Sequence, residues 1–93
     1  MFFDIIDARY EGGYRIRLFF RDGKSGLVDL GEYIGEGKIY SDIRDPLEFA
    51  KFFIEFGSIT WKNGEIDIAP EALYEKATGE KIVLTPEKTY KAV

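Results

Sequence analysis

Between Tyr14 and Arg21 the chain alternates side chain by side chain, and this pattern limits the fold more than any other feature of the sequence. Tyr14, Ile16, Leu18 and Phe20 share one side of an extended segment. Arg15, Arg17, Phe19 and Arg21 share the other. A period of two belongs to a half-buried strand, because successive side chains leave a strand on opposite faces. Residues 2–10 read as a preceding strand, and Gly12-Gly13 supplies the turn between them.

The length of that turn sets the register. A two-residue loop would place Asp7 against Leu18 on the buried face, a carboxylate in the core without compensation. A three-residue loop of Glu11, Gly12 and Gly13 pairs Ile6 with Leu18, Ala8 with Ile16 and Tyr10 with Tyr14. It sets Asp7 opposite Arg17 on the outer face and asks Gly13 to adopt positive φ. This register is preferred because it is apolar inside and charge-paired outside.

Asp22-Gly23 is the next turn signal, and residues 24–30 follow it as a third strand. A tight turn puts Leu27 inside. A bulged or three-residue turn puts Val28 and Leu30 inside and Asp29 near Arg15 or Arg17, and this second register is favoured because it also pairs charges. Residues 31–41 hold three glycines and read as a loop with room for one helical turn. Asp45-Pro46-Leu47-Glu48 is a helix start, with Asp45 as cap, Pro46 at the first helical position and Glu48 closing a capping box. The predicted helix spans about 46–53, with Leu47, Ala50 and Ile54 on one face and Phe49, Phe52, Phe53 and Phe56 beside them.

Asn63-Gly64 between 58–62 and 65–68 is the strongest hairpin signal, since both central residues of a type I′ turn need positive φ. It pairs Trp61 with Ile66 and Ile59 with Ile68. Pro70 then opens a second helix that ends near Thr78-Gly79, with Ala69 a weak cap. Residues 80–93 form a C-terminal extension with two open readings. In one, Ile82–Leu84 adds a short strand and Thr85-Pro86 starts a stub of helix. In the other, the tail frays. The expected architecture is α+β: a three-stranded antiparallel meander and a second β-hairpin, packed with two short helices in a single domain over 1–79.

Composition narrows the chemistry. The 93 residues include no His and no Cys. That excludes His-based catalysis, thiol nucleophiles, disulfides and the commonest zinc and iron–sulfur sites. Ser25, Ser41 and Ser58 have no histidine to activate them, so no enzyme activity is expected. Gly31 to Lys38 has the wrong spacing for a phosphate loop, and Glu32 and Glu36 would repel phosphate. Asp42, Asp45 and Glu48, like Glu65, Asp67 and Glu71, are close in sequence, yet helix capping and an exposed hairpin side account for them. No metal ligand set and no cofactor site are predicted. The net charge is −4, with no basic run. No apolar stretch is long enough to span a bilayer, and an acid follows Met1-Phe2-Phe3 where a signal peptide needs a basic start. A cytoplasmic protein is expected.

The ordered set Asp22-Gly23, Val28-Asp29-Leu30, Arg44-Asp45-Pro46 with Leu47 and Phe49, Thr60-Trp61-Lys62-Asn63-Gly64 and Pro70-Glu71-Ala72-Leu73-Tyr74 resembles the bacterial domain of unknown function 2442 family. The resemblance covers about residues 2–75. Lys62 stands where that pattern often has Pro, and Ala69 where it often has Asp. The resemblance implies a small α+β domain without assigned catalytic residues. It also implies a partner in another small protein encoded nearby, in an antitoxin-like arrangement.

Two surfaces remain as candidates. The outward face of the first sheet carries Arg15, Arg17 and Arg21 with Phe19, and with Leu27 and Ile5 as further apolar members. Arginine with aromatic anchors suits a protein interface. The same pattern suits nucleic-acid stacking less well in an acidic chain. The plain structural alternative has Asp7 and Asp29 neutralising the arginines while a helix covers Phe19. The second surface is a ligand pocket between helix and sheet near Phe49, Phe53 and Trp61, which would make the domain a sensor or carrier. The leading expectation is a protein-interaction module that binds a small protein or itself; a ligand-binding domain comes second, and an accessory nucleic-acid binder third.

Overall fold

A computed structural model describes all 93 residues. Strands β1 (Ile5–Tyr10), β2 (Arg15–Phe20) and β3 (Ser25–Asp29) form an antiparallel meander in the order β1-β2-β3. One helical turn, α1 (Gly31–Ile34), leads to a 3-10 helix (Lys38–Ile43) and a second single turn, α2 (Pro46–Phe49). A second antiparallel sheet joins β4 (Phe53–Glu55), β5 (Ser58–Trp61) and β6 (Ile66–Ile68). Helix α3 (Pro70–Thr78) follows, and β7 (Ile82–Leu84) pairs with β8 (Tyr90–Ala92) at the C-terminus. The fold is α+β. No helix is long and apolar enough to cross a membrane.

The core forms where the inner faces of the two three-stranded sheets meet α3. Ile16, Leu18, Phe20, Val28 and Leu30 come from the first sheet region, Ile59, Trp61, Ile66 and Ile68 from the second, and Leu73 and Tyr74 from α3. Aromatic edges fill the seams. Phe49 lies between Tyr14 and Trp61, with ring centroids 5.2 and 5.4 Å away, and Tyr74 meets Phe20 edge-on at 4.9 Å. Offset and edge-on pairs of this kind add roughly 0.5–1.5 kcal/mol each beyond the area they bury. Ile5 N–H donates to Gly57 O at 2.9 Å and ties the two sheets together.

The β1–β2 turn does contain three residues, and Gly13 has φ 57°, but the loop is Gly12-Gly13-Tyr14. Tyr10 therefore pairs with Ile16, Ala8 with Leu18, and Asp7 with Phe19 instead of Arg17. A bulge between Ile5 and Asp7 corrects the phase at the far end. It buries Ile5, expected outside, and exposes Ile6, expected inside. The reason is local and tertiary at once. The bulge lets Phe3 and Ile5 both enter the core, which outweighs the burial of Ile6 alone.

The third strand follows the bulged alternative. Phe20 N–H donates to Lys24 O across a three-residue turn, Val28 and Leu30 are buried, and Arg15 stands opposite Asp29. Asn63 and Gly64 adopt the expected positive φ, 59° and 88°, and the pairs Trp61–Ile66 and Ile59–Ile68 form, but Lys62 also has positive φ, 55°, so the connection is a four-residue loop over 62–65 with a 3-10 turn and not a two-residue one.

The helix predicted over 46–53 stops at Phe49. Asp45 caps it, accepting from Leu47 N–H at 2.9 Å, while Glu48 turns away to Lys51 at 3.0 Å. Its early end has a visible cause. In a continued helix the Phe49 carbonyl would accept from Phe53 N–H. Instead it accepts the Trp61 indole N–H at 2.8 Å, in the buried interior. Residues 53–55 are released to become β4, so the predicted hairpin gains a third strand. Leu47, expected on the core face, is 75% exposed. Helix α3 ends as predicted at Gly79, with φ 77°. In the tail, 85–89 is a turn between two strands and no helical stub forms.

Candidate interaction face

The register of the meander arranges its outer side chains in rows. Arg9 (β1), Arg17 (β2) and Leu27 (β3) make one row; Asp7, Phe19 and Ser25 make the next; Arg15 and Asp29 stand across from each other at the end. All of these alternate with the buried Ile16, Leu18, Phe20 and Val28, so burying one set forces the other outward. Arg21 lies just past β2 in the turn.

This face is open. Leu27 is 41% exposed and Ile6, thrown out by the bulge, 55%. Phe19 is partly exposed beneath the Arg9 guanidinium, whose carbon sits 5.6 Å from the ring centroid. Helix α3 approaches from the other side. A Cβ placed on Gly26, which pairs with the buried Leu18, would lie 2.3 Å from the Ala77 carbonyl oxygen. The alternative in which a helix covers Phe19 therefore does not describe this fold.

The arginines are held in different ways. Arg15 donates to the Glu11 and Gly12 carbonyl oxygens at 2.9 and 3.4 Å. Arg17 Nε reaches Glu11 at 3.8 Å, and Arg21 Nε reaches Asp4 at 3.5 Å. Asp7 and Asp29, expected to neutralise the arginines, form no ion pair. Each accepts a nearby backbone N–H instead, from Ala8 and Gly31, both at 2.9 Å. Arg9 and Ile6 belong to this face and were absent from the predicted set. Arg9 was signalled by its spacing, two residues from the outward Asp7 on the same strand, whereas Ile6 is turned out by the bulge between Ile5 and Asp7.

The second predicted surface takes another form. A cavity of about 330 Å³ opens between α2, β4 and the Asn63 turn, with Ile43, Lys51, Phe53, Trp61 and Lys62 on its wall. Phe53 and Trp61 line it as expected, but Phe49 does not. It lies wholly buried behind the indole. Trp61 is only 1% exposed and its N–H is already used by the Phe49 carbonyl. A molecule in the cavity would meet Ile43, Phe53 and the indole edge, while the lysines are engaged elsewhere, Lys51 with Glu48 at 3.0 Å and Lys62 with Asp42 at 3.7 Å.

One polar cluster escaped the sequence reading because its members are far apart in the chain. The buried Tyr74 hydroxyl lies 2.8 Å from Asp22 and 3.2 Å from Glu80, while Lys24 bonds Glu80 and leans over the Tyr74 ring. Burial, and then the bond to Asp22, raise the Tyr74 pKa. The hydrogen bond with Glu80 raises that of Lys24, and the same bond lowers that of Glu80. Each shift favours the protonation state already present at neutral pH, so the cluster fastens α3 to the β2–β3 turn.

A sequence profile described as "Protein of unknown function (DUF2442)" matches residues 5–79. The match begins with the first residue of β1 and ends at the glycine that closes α3. No curated protein and no solved structure matches the chain.

Proposed function

We propose, from the premise that this chain belongs to the DUF2442 family, that it is a non-enzymatic protein-interaction module of the cytoplasm. Its binding surface is the outward face of the first sheet. The observation that supports this reading is the exposure of Ile6 and Leu27 and the partial exposure of Phe19 among Arg9, Arg15, Arg17 and Arg21. Small domains have little apolar surface to spare, since a chain of this size buries only about 60–65% of its unfolded area. Leaving these apolar side chains partly in water on one sheet face costs stability unless a partner covers them. Arginine at the rim adds planar donors that pair with carboxylates and carbonyls of a docking chain. Holding a small protein made alongside it, as an antitoxin does, is one form of this role.

The test is Phe19→Asp. The side chain points away from the core, so the variant folds, with unchanged circular dichroism. A tagged wild-type chain should capture a protein in near-equal amount from its host's lysate, and the variant should lose it. Equal capture by both chains would remove the face from consideration. Unfolding of the variant would show that Phe19 serves the core.

A further inference from the structure

The distribution of charge selects the occupant of this face. The whole chain carries −4, so two copies repel at most orientations. Residues 1–30 hold five acids (Asp4, Asp7, Glu11, Asp22, Asp29) and five bases (Arg9, Arg15, Arg17, Arg21, Lys24). The remaining residues hold twelve acids and eight bases, so the entire net charge lies outside the meander. On the outward face itself Arg9, Arg15 and Arg17 stand among Asp7 and Asp29, so a partner of one sign, such as a nucleic acid or an acidic peptide, would meet repulsion as well as attraction there. A surface that carries both signs in register is complementary to itself.

The rows show how. Arg9 and Arg17 stand directly opposite each other, an arrangement of like charges that destabilises a strand pair. Arg17 has Glu11 at 3.8 Å, whereas Arg9 has no carboxylate partner. Asp7, two residues away on the same strand and the same face, has no cationic partner. Consider a two-fold axis in the plane of the interface, running across the strands between the two rows. It lays the row Arg9–Arg17–Leu27 of one copy over the row Asp7–Phe19–Ser25 of the other. Arg9 then meets Asp7, and Arg17 meets the Phe19 ring, each contact occurring twice.

We infer that the occupant is a second copy of this chain, docked outward sheet to outward sheet about such an axis, with Arg9 of each copy on Asp7 of the other. The inference rests on the reading of this face as an interaction surface and names its partner. Strands of six, six and five residues make a small platform. At a rise of about 3.3 Å per residue and a spacing of about 4.8 Å it measures roughly 20 by 15 Å. That is below the roughly 800 Å² per partner of a standard interface, which puts the contact in the class of weak, reversible associations.

Sedimentation equilibrium of the purified full chain, from about 1 to about 500 µM, is the experiment. The wild type should convert from monomer to dimer within that range. Arg9→Asp alone and Asp7→Arg alone should each lose at least about tenfold in association, because each sets like charges together twice. An equimolar mixture of the two variants should recover the dimer, since both contacts then join opposite charges. Both side chains are exposed, so neither change threatens the fold. A wild type that stays monomeric, a dimer that survives either single change, or a mixture that fails to recover would each overturn the inference. Should the chain alone be monomeric while a Phe19-dependent partner is still captured from lysate, only the identity of the occupant falls.

Discussion

The Tyr74 hydroxyl lies 2.8 Å from the Asp22 carboxylate, across 52 residues of sequence, and makes the end of the β2–β3 hairpin part of the same unit as α3. The ring itself is core, stacked edge-on against Phe20 and Phe2. Tyr74→Phe keeps that packing and removes the hydroxyl. Asp22 is exposed and regains water, so the loss is at the low end for a hydrogen bond to a charged group, about 1.5 kcal/mol of unfolding free energy. Urea titration would show a lower midpoint with an unchanged slope. No change in midpoint would mean that the bond contributes nothing against hydration.

Lys24 and Glu80 give the same cluster a pH signature. The folded pKa of Glu80 is lowered by its bond from Lys24, so its contribution is complete above the ordinary carboxylate value of about 4.3 and is lost as pH falls through the folded value. The folded pKa of Lys24 is raised by its bond to Glu80. Its contribution is complete below about 10.4 and is lost as pH rises through the folded value. Stability measured by thermal unfolding should therefore hold between those limits and decline outside them. Both groups are surface groups screened by solvent and salt, so the declines should be shallow and shrink with added salt. Glu80→Gln should flatten the part of the acid decline that belongs to this pair. An unaltered profile in that variant would show that the pair has no thermodynamic role.

Gly26 marks the closest approach of helix to sheet. A methyl group there would meet the Ala77 carbonyl oxygen at 2.3 Å, well inside contact distance. The obstacle is backbone, so no side-chain rotation relieves it. Gly26→Ala should force α3 away from β3 and cost about 1–3 kcal/mol. Ala77→Gly should not rescue it, because the carbonyl remains. A double variant as stable as the wild type would contradict this account.

The parts of the fold that were legible in the sequence are those decided within a few residues. Asn63-Gly64 marked the turn and the Trp61–Ile66 pair, because positive φ there admits few residues, although the turn also takes in Lys62 at φ 55°. Asp45-Pro46 fixed the start of α2, and Gly79 the end of α3. The parts that were not legible depend on distant partners. The helix at Pro46 ended four residues early because an indole twelve positions ahead took its carbonyl. Ile5 took the place of Ile6 in the core through a bulge between Ile5 and Asp7, with Phe3 buried beside it. The candidate face shows both sides of this. Arg15, Arg17, Phe19 and Arg21 were placed outward by period alone, and the same period from Asp7 places Arg9; Leu27 depended on the length of the turn at Asp22-Gly23, and Ile6 on the bulge.

Phe56 poses the reverse problem, a residue that contradicts its local conformation. With Gly57 it forms the two-residue turn between β4 and β5, closed by the Glu55–Ser58 pair. Its φ is 50°, where an L-residue with a bulky side chain is strained by roughly 1–2 kcal/mol, and its side chain is fully exposed. Nothing within the fold compensates for either cost. Asparagine tolerates this region, because its short side chain bonds the local backbone. Phe56→Asn should therefore raise the unfolding free energy by about 0.5–1 kcal/mol, with the β4–β5 register unchanged. The gain should appear mainly as a higher denaturant midpoint at the same slope. A loss of stability in this variant would mean that the phenyl ring packs against the fold in solution and that the turn carries less strain than its φ implies.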